Sequence, residues 1–131
     1  MLWMPISMWM FACGDKEDTG AEIVLDDPAT FTQIEEELIK VSCAFASCHA
    51  VGAGGIVLNG EDDYDRLVNQ PSYAMPDEVL IVPNDVDASY FFHKLVTGTN
   101  IDGDIMSPGQ GISDYQEALL HSWISEGAPN N

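Results

Sequence analysis

Apolar residues recur at helical spacing in only three or four short windows of this chain, and long stretches rich in Gly, Pro, Asn and Asp separate them. In FTQIEEELIKVSC, Phe31, Ile34, Leu38 and Val41 stand three and four apart. This spacing predicts an amphipathic helix capped at Thr32, with Glu35 three residues on, and ending at Cys43. EDDYDRLVNQP reads as a short helix with acidic residues in its first turn, closed by Pro71, with Leu67 and Val68 in the core. Residues 79 to 82 read as an extended run, followed by a proline turn and a helix over 88 to 96 that stops at Gly98. Tyr90, Phe91, Leu95 and the stem of Lys94 are expected to pack inward. In ISDYQEALLHSWISEGAP, Ser113 and Gln116 form a capping box, Tyr115, Leu119, Leu120, Trp123 and Ile124 share a face, and Gly127 lies past the end.

The expected fold class is therefore mainly α: three to four helices joined by long loops, with a few residues of strand at most. Loops of this length in so small a domain need something to wrap, and an internal ligand would supply it. At 131 residues the chain holds one domain. Its 46% hydrophobic content suffices for a core, so its acidity is not that of a disordered chain. That acidity is pronounced, with 4 Lys plus Arg against 22 Asp plus Glu and a formal charge of -18. Such a field repels phosphate backbones and anionic head groups, which argues against nucleic acid as a partner. It would steer a basic partner protein, or serve only solubility and salt tolerance.

The first twelve residues, MLWMPISMWMFA, are apolar and uncharged, too few for the roughly 20 helical residues a bilayer core requires. They read as the hydrophobic part of a signal peptide. The tetrapeptide Met10-Phe11-Ala12-Cys13 resembles a bacterial lipobox, which implies residues 1–13 as a lipoprotein signal and Cys13 as the lipidated mature N-terminus. Residues 14–28, small and acidic, suit a solvated tether, and residues 29–131 form the folded domain.

Chemistry concentrates in Cys43-Ala44-Phe45-Ala46-Ser47-Cys48-His49. Two thiols and an adjacent imidazole match the elements of haem c attachment, in which thiols add to the haem vinyls and the histidine ligates iron. The usual motif is C-x-x-C-H, and here four residues separate the cysteines. On residue chemistry alone, a Cys43–Cys48 disulfide or a structural metal site uses the same groups. Zinc is the poorer of these, since a fourth ligand would have to come from His93 or His121 in distant helices. Asn100-Ile-Asp102-Gly-Asp104 begins like a calcium loop, but position six is Ile105 and position twelve Gly111, so the match fails. No nucleophile elbow, phosphate loop or paired catalytic carboxylates stand out, so the motifs give an enzyme reading little support.

Further motifs follow in order: Gly54-Gly55-Ile56-Val57-Leu58, the turn Val82-Pro83-Asn84-Asp85-Val86-Asp87-Ala88-Ser89-Tyr90, His93-Lys94-Leu95, Met106-Ser107-Pro108 and Trp123-Ile124-Ser125-Glu126-Gly127-Ala128. Over about residues 29 to 129 this series resembles the class I cytochrome c domains of exported bacterial proteins. In that family a Gly-Gly-hydrophobic loop follows the Cys-His pair, a Pro-Gly-Asp-Pro-x-x-Ser-Tyr turn opens the middle helix, and Met-Pro-Pro precedes a last helix ending Trp-Ile-x-x-Gly-Ala. This chain differs at Asn84, Val86 and Ser107.

The resemblance implies a cytochrome c-like fold around one haem c, with Cys43 and Cys48 as thioether anchors, His49 as proximal iron ligand and Met106 as distal ligand. Met75 and His93 are rivals for the distal position. Trp123 and Tyr115 would line the haem pocket, and His121 has no assigned role. The implied function is one-electron transfer on the periplasmic or outer side of a bacterial membrane, lipid-anchored, with a basic redox partner. The alternative from a different class is a haem-free acidic lipoprotein with a Cys43–Cys48 disulfide, acting as an interaction module. A third is a haem sensor or haem-bearing subunit of a larger complex.

Overall fold

A computed structural model describes residues 22–44, 48–106 and 111–131. Cys13, the signal segment and most of the expected tether lie outside the described residues, as do Ser107 and Pro108.

Helices dominate, and among the described residues extended pairing is limited to two isolated bridges, Val68 with Ile81 and Pro71 with Val79. The helix α1, Phe31–Ile34, begins at Thr30, whose hydroxyl accepts from the Gln33 amide while the Gln33 side chain accepts from the Thr30 amide. The capping box thus starts two residues before the expected Thr32–Glu35 pair, because Thr30 is extended and Thr32 is already helical.

From Glu35–Cys43 the chain continues as a π-helix, closed by the Ala44 amide on the Ile39 carbonyl at 2.9 Å. Winding by i→i+5 bonds widens the turn and changes which residues face inward. The buried set is Ile34, Leu38, Ile39 and Cys43, with pairs 34/39 and 38/43 five apart. Val41, expected on the packed face from α-helical spacing, is 53% exposed. The same winding rotates Cys43 into the interior.

The helix α2, Asp63–Leu67, sits behind a loop latched by Asp63. This buried carboxylate accepts from the amides of Asn59 at 3.1 Å and Gly60 at 2.8 Å. The third helix, α3, Tyr90–Phe92, runs into a π turn, His93–Thr97, that closes with the Gly98 amide on the His93 carbonyl. It starts two residues later than expected. Ser89, fully buried, spends its hydroxyl on the preceding turn, accepting from the Val82 amide and donating to the Asp85 carbonyl. The last helix, α4, Asp114–Ser125, carries the predicted Ser113–Gln116 capping box. It buries Leu119, Leu120, Trp123 and Ile124, whereas Tyr115 is 41% exposed.

The core lies where α1 meets α4 and α2. Phe31 packs against Trp123 with tilted rings 5.4 Å apart and edge-on against Tyr64 at 5.2 Å. The C-terminal residues close over them: Trp123 Nε1 donates to the Pro129 carbonyl, Tyr64 Oη to that of Ala128, and Asn131 accepts from Phe31 and Thr32. Ala29 is buried and tied to Ser122 Oγ. The packed body nevertheless reaches further back than Ala29, because Leu25, in the expected tether, packs against the core.

The π winding has a direct test in stability. Ile39→Ala should cost about 2–5 kcal/mol, the loss expected for a buried aliphatic side chain, while Val41→Ala should stay within about 0.5 kcal/mol. Denaturant unfolding of the two variants measures this, and a larger loss at Val41 would restore the α-helical register.

Candidate functional site

Ahead of the core, the loops enclose a mainly apolar cavity of about 1100 Å³. That is slightly above the roughly 300–1,000 Å³ usual for cofactor and small-molecule sites. Cys43, Cys48, His49 and Met106 all line it. They reach it from separate parts of the fold: Cys43 from the end of the π-helix, Cys48 and His49 from the turn that follows, and Met106 from the loop after the π turn.

His49 opens a short 3-10 turn, His49–Val51, and its carbonyl accepts from the amides of Gly52 and Leu58, folding the glycine loop back over it. Its Nδ1 lies 3.2 Å from the Ile56 carbonyl oxygen. A carbonyl only accepts, so Nδ1 carries the proton, and in the neutral imidazole Nε2 is then the nitrogen with the lone pair. This tautomer is the one a metal-ligating imidazole needs, with its second nitrogen held by a backbone acceptor. Gly54, at φ +69°, allows the close approach: a Cβ there would meet His49 Cε1 at 3.3 Å.

The loop carrying Met106 is fastened to the helix beside it. The Met106 amide donates to the Lys94 carbonyl at 2.8 Å, Lys94 Nζ donates to the Asp102 carbonyl, and the Asp102 amide donates to Tyr90 Oη at 3.1 Å. Both rivals for the distal position fall off the cavity wall. His93 has both nitrogens engaged, with Thr97 Oγ1 at 2.7 Å and the Asp87 carbonyl at 2.6 Å. Met75 packs against the core instead.

Trp123 is placed differently from the expectation. It is fully buried among Phe31 and Tyr64, with its indole N–H spent on Pro129, and it is not among the cavity-lining residues. Packing α1 against α4 consumes the ring, and Tyr115 faces outward. The aromatic wall comes instead from Tyr73, Tyr90 and Phe91. Sequence reasoning missed Tyr73, which lies in no periodic segment. Tyr90 and Phe91, expected to pack inward, serve both the core and the cavity wall.

Cys43 and Cys48 stand as two thiols. Burial pushes the Cys43 thiol up to about 12, with smaller contributions from the Asp63 carboxylate and from Cys48. No family model, curated protein or solved structure matches the chain.

In the unmodified chain Cys43 should therefore alkylate far more slowly than the half-buried Cys48 at pH 8, which mass spectrometry after iodoacetamide treatment reads directly. Equal rates would contradict the burial. The folded state holds its Cys43 proton longer than the unfolded chain does. That contribution to stability is complete below the ordinary value of 9.0 and is lost as pH rises from there towards 12.

Proposed function

We propose that the chain is an exported monohaem cytochrome c that transfers single electrons, with haem c in the cavity shared by Cys43, Cys48, His49 and Met106. The observation that carries this reading is the convergence of those four side chains on one cofactor-sized cavity, with the His49 tautomer already set by Ile56. The donor set suits haem iron: an imidazole nitrogen with its lone pair available, and a thioether.

Haem bound there supplies one-electron exchange between ferric and ferrous iron. Cys43 and Cys48 would hold it covalently. Their S–H groups would be consumed in two thioether links to the vinyls, with nothing released. His49 would be the proximal ligand, its ring oriented by the hydrogen bond to Ile56. Met106, a soft thioether, would be the distal ligand and would favour the reduced state. The apolar wall formed by Ile56, Leu58, Leu80 and Leu95 would exclude water and raise the potential further. Anchoring through Cys13 at the outer face of a bacterial membrane, and docking of a basic redox partner on the acidic surface, complete the proposal.

The test is a pyridine haemochrome spectrum together with haem staining after denaturing electrophoresis, on the chain expressed with cytochrome c maturation machinery. Covalent haem that vanishes in the Cys43→Ala/Cys48→Ala double variant is the expected result. A colourless protein carrying one Cys43–Cys48 disulfide would instead favour a haem-free interaction lipoprotein. Met106→Ala should lower the reduction potential by on the order of 0.1 V, within the roughly 0.8 V range that axial ligands command. Met75→Ala and His93→Ala should leave it nearly unchanged, and potentiometry separates the three.

A further inference from the structure

Cys43 turns inward at the end of the π-helix, and one side chain from α4 is bonded to that segment. Gln116, in the first turn of α4, donates from Nε2 to the Glu37 carbonyl and to Ser42 Oγ, both at 2.9 Å. Its Oε1 accepts from the Ser113 amide at 3.0 Å and from the Ser113 hydroxyl at 3.2 Å. A backbone N–H on one side and a C=O on the other fix the orientation of this amide. Its two donors and two lone pairs are all engaged.

The two acceptors are five residues apart, the interval of i→i+5 winding. In an α-helix of roughly 3.6 residues per turn, five residues advance about 140° past a full revolution, which puts the two positions on different faces. One amide bridges them because the π register brings them together. Ser42 lines the cavity, and Cys43 follows it, buried on the same wall. Capping does not account for the bridge. A Glu at this position would serve a capping box as well and would suit a helix N-terminus, but it has no donors for Glu37 and Ser42.

We propose that Gln116 is a positioning residue for Cys43: by clamping Glu37 and Ser42 it locks the π register that holds the thiol on the cavity wall, in place for thioether attachment. The role in attachment rests on the haem reading above, whereas the placement of the thiol is a property of the haem-free chain.

The test uses the full chain, first without haem. Gln116→Glu keeps the capping acceptor and loses both donors, whereas Ser113→Ala removes the cap and keeps the clamp. Iodoacetamide at pH 8 with mass spectrometry reads each thiol separately. Gln116→Glu should speed Cys43 at least about tenfold through local opening and leave Cys48 unchanged. Ser113→Ala should leave both rates as they are, although it weakens α4. A Cys43 as slow in Gln116→Glu as in the parent chain overturns the proposal. So does acceleration in both variants in step with their losses of stability in denaturant, which would reduce Gln116 to general support of the fold. Should Gln116→Glu not fold, Ser42→Ala, which removes one of the two acceptors, takes its place, and an unchanged Cys43 rate there is equally fatal.

A second measurement uses the chain expressed with maturation machinery. The α band of the pyridine haemochrome counts thioether links, because each link removes one vinyl from conjugation. Gln116→Glu should move the band towards that of Cys43→Ala, and an unmoved band overturns the role in attachment. If the parent chain carries no haem, the haem reading falls, and the alkylation rates still decide whether Gln116 places Cys43.

Discussion

The contact of Phe31, Tyr64 and Trp123 is the interaction on which the other elements depend. It joins α1, α2 and α4 through three rings within 5.2 to 6.3 Å of one another. The polar tips of the two amphipathic rings reach across to the C-terminal residues, Trp123 to Pro129 and Tyr64 to Ala128. Aromatic bodies supply the buried area, and the N–H and O–H are satisfied without water. With this junction closed, the π-helix continues from α1 with Leu38, Ile39 and Cys43 buried, and its end brings Cys43 to the cavity wall.

The cavity exists because so little of the chain is regular. Between Cys48 and Ser89, outside α2 and the two bridges, the path is held by single bonds such as His49 to Ile56 and Leu58, Asp63 to Asn59 and Gly60, and Ser89 to Val82 and Asp85. Each such bond stabilises by only about 0.5–1.5 kcal/mol, too little to order long loops alone. An apolar ligand of cofactor size would add several buried side-chain equivalents at about 25 cal/mol per Å². Under the haem reading the loops and the haem stabilise one another, since whatever binds only the folded chain shifts its folding equilibrium.

Much of this was legible in the sequence. The helix from Ser113 was, because a capping box, a regular apolar stripe and a terminal glycine all agree there. The grouping of Cys43, Cys48 and His49 was also legible, being contiguous, and so was Met106 as a cavity residue, although only through its place in a series of motifs. The role of Trp123 was not. A large aromatic on the buried face of a helix can serve a core or a pocket, and periodicity does not distinguish the two. The inward turn of Cys43 was also hidden, since α-helical spacing puts Val41 on the buried face and only the wider winding brings position 43 inward.

By itself, then, the sequence determined the mainly helical class, the capped last helix, the acidic character and the chemical contents of the seven-residue segment from Cys43 to His49. These follow from local periodicity, capping chemistry and charge, which neighbouring residues settle among themselves. Tertiary structure alone decided the π register of the segment before Cys43, the protonation of His49 Nδ1 against Ile56, the removal of His93 and Met75 from the cavity wall, and the reach of Gln116 to Glu37 and Ser42. Each of those depends on which distant backbone or side chain comes within a few ångströms, and that is fixed only when the core has packed.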